Sequence, residues 1–233
     1  MNSKICALIP AAGKGSRMAN SVKKPYLKLA QKPILAHTIQ RFEENKVVDA
    51  VFVVVNKDDF SDCRTNVLEP YTFTKVQELV AGGETRQMSV YNGVRALAAD
   101  VDFVVVHDGV RPFVTDKTIS ACLTAADECG AAVAAVPVKD TIKIADENAF
   151  IVETPVRERL WAVQTPQVFR KSLLEEAHQI AQAQQLTATD DAALVEQLGF
   201  PVKLVMGSYA NLKITTPEDL RVAEVLLRDP TQW

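Results

Sequence analysis

The chain has 233 residues with a formal net charge of −3, 48% hydrophobic and 24% charged, a composition ordinary for a soluble globular protein and a length sufficient to bury a substantial core. A nearly balanced charge excludes global recruitment to nucleic acid or to an anionic membrane, so cations for any anionic ligand must be gathered locally. Cys6, Cys63, Cys122 and Cys129 lack the short paired spacing of a zinc site and are expected to be reduced thiols; with no basic-then-apolar leader and no apolar run near membrane length, the expected location is the cytoplasm.

Residues 5–9 (Ile-Cys-Ala-Leu-Ile) read as a buried strand, which breaks at Pro10 into Ala11, Ala12, Gly13, Lys14, Gly15, Ser16 and Arg17. Small residues let backbone N–H groups approach an anion, and Lys14 and Arg17, with Lys24 downstream, supply the charge that phosphates need. Residues 33–46 carry Ile34, Leu35, Ile39 and Phe42 at helical spacing behind Pro33, a residue suited to a first helical turn. Residues 47–55 form a β-branched run, predicting a strand covered on both faces. A shorter strand at 75–80 ends in Ala81-Gly82-Gly83, and after Arg86 a helix presents Val90, Val94 and Leu97 on one face. Residues 101–106 are another buried strand running into His107-Asp108-Gly109-Val110-Arg111-Pro112, and residues 116–129 form a helix stopped by Gly130.

After the strand-like alanine and valine run at 131–138 the alternation changes. Residues 141–144 and 150–153 are short apolar runs joined by a polar turn, which predicts a hairpin, and its apolar face needs a cover that a second subunit would provide. Helices follow at 171–185 and 190–198, a strand at 201–206, and a last helix with Thr216 as N-cap and Pro217 at its first position. This alternation implies one α/β domain over residues 1–233. Its sheet is expected to be open, doubly wound, mostly parallel (mixed) and Rossmann-like, with helices on both faces and an inserted β-hairpin arm for dimerisation at about residues 138–160. Ligands of such sheets bind outside the carboxyl ends of the strands. The turns at 11–17, 81–86 and 107–111 all follow strands and so should open on one edge, as a pocket for a highly charged ligand. The first turn is not a Walker A loop, and Met18 stands where a dinucleotide fingerprint has its third glycine, although a dinucleotide-dependent oxidoreductase remains an alternative at this level.

Pro10-Ala11-Ala12-Gly13-Lys14-Gly15-Ser16-Arg17-Met18 with Lys24 downstream resembles the signature of sugar-phosphate nucleotidyltransferases. Gly82-Gly83-Glu84-Thr85-Arg86-Gln87-Met88-Ser89-Val90, His107-Asp108-Gly109-Val110-Arg111-Pro112, Thr165-Pro166-Gln167 and Thr189-Asp190-Asp191 narrow the resemblance to the 2-C-methyl-D-erythritol 4-phosphate cytidylyltransferase family, in order along nearly the whole chain. What this resemblance implies is transfer of a cytidylyl group from CTP to the polyol phosphate, with release of pyrophosphate, in the methylerythritol phosphate route to isoprenoid precursors. It also implies Mg²⁺ held largely by the CTP phosphates with no protein ligand assigned, a homodimer formed through the arm, and no nucleic-acid or membrane partner. Ribitol 5-phosphate cytidylyltransferases are similar in fold and chemistry and are the nearest alternative.

By the same resemblance the catalytic residues are Arg17, Lys24, Arg157 and Lys213. Pro10, Ala11, Ala12, Gly13, Gly15, Gly82, Gly83, Ser89 and Asp108 hold the nucleotide. Asp108, Arg111, Thr141, Arg157, Thr165, Thr189 and Lys213 take the polyol phosphate, with Arg157 or its neighbour Arg159 donated to the adjoining subunit's site. The chain departs from the family's frequent Pro-Lys-Gln before the tyrosine, having Lys23-Lys24-Pro25-Tyr26, and has Gly109-Val110 where an alanine pair is usual. His107, at the end of a buried strand, reads as a structural histidine, because a phosphate monoester is already ionised near neutral pH and needs no strong base. His37 and His178 read as helix-surface residues without a role.

Overall fold

Apolar side chains that alternate along a strand end up on opposite faces of a sheet, and here both faces are covered. The structure, a computed structural model, describes residues 3–13 and 23–229. Its strands are β1 (Ile5–Pro10), β2 (Lys28–Leu29), β3 (Lys32–Pro33), β4 (Ala50–Val55), β5 (Val76–Ala81), β6 (Phe103–Val106), β7 (Ala131–Pro137), β8 (Ile144–Ala145), β9 (Ile151–Glu153), β10 (Trp161–Arg170) and β11 (Lys203–Met206). The α-helices are α1 (Ile34–Glu44), α2 (Phe60–Cys63), α3 (Arg86–Ala96), α4 (Asp116–Cys129), α5 (Lys171–Ala183), α6 (Asp191–Gln197) and α7 (Pro217–Arg228).

Seven strands form one sheet in the order β11-β7-β10-β6-β1-β4-β5. All neighbours run parallel except β10, which is antiparallel to both β6 and β7. In β4 every residue is buried: Val51, Val53 and Val55 belong to the apolar cluster on the α1 face, while Ala50, Phe52 and Val54 belong to the cluster on the α3 face. Each such side chain stabilises the fold by about 1.5–3 kcal/mol relative to exposure. Helix α3 lies directly on β1, since a Cβ at Gly93 would fall 2.3 Å from the Leu8 side chain. A third, smaller cluster of Leu29, Ile34, Phe113, Ile214 and Ala223 sits beneath α7.

The helix ends follow their local chemistry. Thr85, Thr115 and Thr216 each accept a backbone N–H at the start of α3, α4 and α7, and Asp219 closes a capping box at Thr216. Gly130 ends α4 at φ 91°, a left-handed conformation that glycine adopts without strain. The four cysteines are free, and no described helix is long and apolar enough to cross a membrane.

Two elements have no counterpart among those expected from the sequence. Residues 57–71 wind into short helical turns around α2, burying Cys63 and Val67. The other is β10: its apolar Ala162 and Val163 are exposed while Val168 and Phe169 are buried, and its Pro166 argues against a central strand. The strand accommodates its proline by slipping register, with Val163 opposite Ala135 but Gln167 opposite Val133, so the missing N–H falls where the ladder is already broken. The hairpin at β8 and β9 is present and antiparallel. Asp146 Oδ1 shapes its turn by accepting from the backbone N–H groups of Asn148 (3.0 Å) and Phe150 (2.9 Å).

Candidate active site

The described part of the first turn, to Gly13, and the other two turns open on one edge, around a cleft of about 880 Å³ lined from Pro10–Gly13, Gly82–Arg86, Met88–Ser89, Asp108–Val110, Lys24–Pro25, Asn56 and Lys213–Thr215. The first two turns leave the sheet held together, with Ala11 N donating to Val54 O at 2.7 Å and Gly82 N to Val55 O at 2.8 Å. They come so close that a Cβ on Gly82 would lie 2.5 Å from that of Ala12. The Ser89 hydroxyl accepts from Gly83 N at 3.1 Å and donates to Thr85 O at 2.9 Å, which fixes the second turn over the start of α3. Asn56 Nδ2 donates to Ala12 O (2.9 Å) and to Asp59 Oδ2 (3.2 Å), and Asp59 in turn pairs with Lys23 Nζ at 2.5 Å. Lys23, one of the departures from the family pattern, is thereby anchored beside the cleft residue Lys24.

Asp108 forms the charged centre. Its backbone N–H donates to Thr165 Oγ1 at 3.0 Å. That hydroxyl has its own proton for His107 Nδ1 at 3.1 Å, leaving His107 Nε2–H to donate to Arg111 O at 3.0 Å, the neutral form of the ring. Burial agrees, pushing the His107 value down to about 4. Lys213 Nζ (2.9 Å) and Arg111 Nε (3.3 Å) both reach Asp108 Oδ2, and Arg86 Nε stands 3.9 Å from Oδ1. Burial alone would raise the Asp108 value, but Lys213, Arg111 and Arg86 outweigh it and bring it down to about 2. Asp108 is thus a carboxylate throughout the physiological range. Arg111 is locked by donating to Asn211 O at 2.7 Å, and Asn211 Nδ2 donates to Thr165 O at 2.7 Å. Lys213 is fixed by its neighbour Ile214, whose N–H donates to Val110 O at 3.0 Å.

A sheet-edge cleft with glycine turns, several cations and the buried, ionised Asp108 suits a phosphorylated, hydroxyl-bearing ligand. The family model described as 2-C-methyl-D-erythritol 4-phosphate cytidylyltransferase matches residues 5–229. The chain belongs to that enzyme family. A protein of that name from Desulforamulus reducens is 49% identical over 229 residues, covering 98% of each chain, and one from Geobacter metallireducens is 48% identical over 228 residues, covering 97% of this chain and 98% of the relative. The crystal structure of 4-diphosphocytidyl-2C-methyl-D-erythritol synthase from Anaerococcus prevotii superposes with a TM-score of 0.86 at 33% identity, covering 97% of both chains.

Within this cytidylyltransferase fold the expected site residues are distributed unevenly. Pro10, Ala11, Ala12, Gly13, Lys24, Gly82, Gly83, Ser89, Asp108 and Lys213 line the cleft together. Arg111 and Thr165 are buried beside and beneath Asp108. Gly15 and Arg17 lie outside the described residues. Thr141 and Arg157 are exposed on the arm and absent from the cleft lining, with Arg157 Nη1 donating to Lys139 O at 3.3 Å. Thr189 is also exposed and absent from that lining, directly ahead of Asp190, which caps α6.

Two histidine expectations are corrected. His178 is 2% exposed, stacked on Tyr91 with ring centroids 5.6 Å apart. It follows Leu174 by four residues on the buried stripe of α5. His37 is half-buried and bonded through Nε2 to Leu29 O at 2.8 Å. Sequence reasoning noticed Arg86 as the cation of the second turn without giving it a place, and gave none to Asn56 or Asn211. For Asn211 no local signal exists, because its partners Gln164 and Thr165 are more than 40 residues away.

Proposed function

We propose that this protein transfers the cytidylyl group of CTP to 2-C-methyl-D-erythritol 4-phosphate, giving 4-diphosphocytidyl-2-C-methyl-D-erythritol and pyrophosphate, for isoprenoid precursor synthesis. The observation that carries this reading is the meeting of Lys24, Arg86 and Lys213 with ionised Asp108 at the mouth of two glycine turns. An oxygen of the polyol phosphate attacks the α-phosphorus of CTP. A P–O bond forms there as the bond to the β-phosphate bridging oxygen breaks, its electron pair leaving with pyrophosphate. No base is required, in keeping with the buried, neutral His107.

In this reading the backbone N–H groups of Ala12 and Gly13 hold the nucleotide, the Gly82-Gly83 turn lets it approach the backbone closely, and Lys24 with Arg17 offsets charge in the transition state. Asp108, held from beneath by Thr165, accepts hydrogen bonds from ligand hydroxyls while Lys213, with Thr189, serves the polyol phosphate. Among the described residues no group of three His, Cys, Asp or Glu side chains is disposed to hold a metal. With Asp108 already shared among cations, the described donors do not fit a protein-held cage. We therefore assign Mg²⁺ to the phosphates of CTP itself, where a hard cation finds its oxygen ligands.

We further propose a cytoplasmic homodimer, with neither nucleic acid nor membrane as partner. The exposed side chains of Phe150, Ile151, Val152 and Val156 support an arm that packs on a second subunit, which would bring Arg157 and Thr141 to the neighbouring cleft. The test is to incubate the purified protein with CTP, Mg²⁺ and either 2-C-methyl-D-erythritol 4-phosphate or ribitol 5-phosphate, following pyrophosphate and the cytidylylated product. Preferential turnover of the methylerythritol substrate is expected; faster turnover of ribitol 5-phosphate, or none with either, contradicts the reading.

A further inference from the structure

Asp191 opens α6 with only 1% exposure, directly behind Arg86, a residue of the cleft lining. The Arg86 guanidinium lies between two carboxylates and is committed to one of them: Nη1 is 2.7 Å from Asp191 Oδ2, whereas Nε is 3.9 Å from Asp108 Oδ1. Asp108 is asymmetric in the same way. Its Oδ2 takes Lys213 at 2.9 Å and Arg111 at 3.3 Å, while Oδ1 makes no hydrogen bond with any described residue and is the oxygen that faces Arg86. A guanidinium released beside an ionised carboxylate closes to a charge-assisted bond of about 2.7–2.9 Å, among the strongest hydrogen bonds a protein forms. That closure would occupy the one Asp108 oxygen open to a ligand.

Asp191 is well placed to prevent it, because its own position is fixed from several elements. Asp190 caps α6 by accepting from Ala193 N at 3.0 Å. From β10, Gln167 brackets the same turn, donating to Asp190 Oδ2 at 2.7 Å and accepting from Ala192 N at 3.3 Å. From α5, the His178 ring stacks on Tyr91 and sets Nε2 3.2 Å from Asp191 Oδ1, a close contact without hydrogen-bond alignment. A buried ion pair is poor evidence for stability, since desolvation consumes most of its attraction. Its value here lies in where it holds the cation.

We propose that Asp191 is a positioning residue: by binding Arg86 it withholds that guanidinium from Asp108 Oδ1, keeping the oxygen open to a hydroxyl of the bound ligand. The identity of that ligand rests on the cytidylyl-transfer reading; the division of Arg86 between two carboxylates does not.

The experiment combines a crystal structure of D191N with steady-state kinetics of D191N, R86Q and the double variant, each checked for folding by thermal melting. In D191N the Arg86 guanidinium should move to within about 3.2 Å of Asp108 Oδ1. The KM for the polyol phosphate should rise about tenfold or more, with a smaller change in kcat. In the R86Q background, adding D191N should change KM no further, because the cation it withholds is gone. An unmoved guanidinium, or equal losses in both backgrounds, would overturn the proposal in favour of a purely structural carboxylate. If D191N does not fold, Asp191→Ser, which admits water beside the guanidinium, is judged by the same two readouts. Absence of cytidylyl transfer by the unaltered protein would remove the functional reading, and the position of Arg86 in the variant would still decide this one.

Discussion

The Asp108 centre and the β8–β9 arm sit at opposite extremes of the molecule's physics. Around Asp108, side chains from β10, the loop after β6, the start of α3 and the segment before α7 converge on one buried carboxylate, and nearly every polar group there has a partner inside the chain. On the arm, Phe150 is 72% and Val152 67% exposed, and the two strands are short and pair chiefly with each other. Such a hairpin is marginal in water by itself. The contrast teaches that one half of the proposed reaction centre is preorganised within a chain, whereas the half carrying Thr141 and Arg157 awaits a covering surface.

Breaking the preorganised half should have the larger consequences. Lys24→Ala is expected to lower turnover by about 10²–10³ while leaving the melting temperature close to that of the parent, measured by pyrophosphate release and calorimetry. Unchanged turnover would remove the charge-stabilising role. Asp108→Asn leaves Lys213, Arg111 and Arg86 facing a neutral amide and should destabilise the fold by about 3–5 kcal/mol in denaturant titration. The same carboxylate gives a pH signature. Because its folded value of about 2 lies below the ordinary 3.8, its stabilisation is complete above about pH 4 and is lost as pH falls from there towards 2, roughly 2 kcal/mol in all. Parent and Asp108→Asn stability curves should therefore converge over that window. Gly82→Ala must push the first and second turns apart, because they leave no room for a methyl group, at a cost of about 1–3 kcal/mol, read as weaker CTP binding by calorimetry. On the arm, Phe150→Glu should shift the sedimentation coefficient towards the monomer and leave the melting of the sheet nearly unchanged. A monomeric parent would end the arm proposal.

Much of the preorganised half is legible in the amino-acid sequence. Buried parallel strands announce themselves as unbroken apolar runs, and the bounds of α4 agree with the helix expected over residues 116–129 because the apolar stripe ends at a glycine stop. The common edge of the three turns follows from strand–turn–helix order alone. What sequence does not disclose are long-range polar contacts: those of Gln164 and Thr165 in β10 with Ser208 and Asp108, and the Arg86–Asp191 pair, separated by 105 residues. His178 is open to a better reading, since it shares a helical stripe with Leu174 and Ala181.

The proposed division of the reaction centre between one chain's cleft and its neighbour's arm is tested most directly by mixing two variants expected to be inactive, Lys24→Ala and Arg157→Ala, under conditions of demonstrated subunit exchange. If Arg157 serves the neighbouring cleft, half of the randomly formed dimers contain one intact site, and activity should recover to about a quarter of the parent's. No recovery despite exchange would mean that each site is built from a single chain.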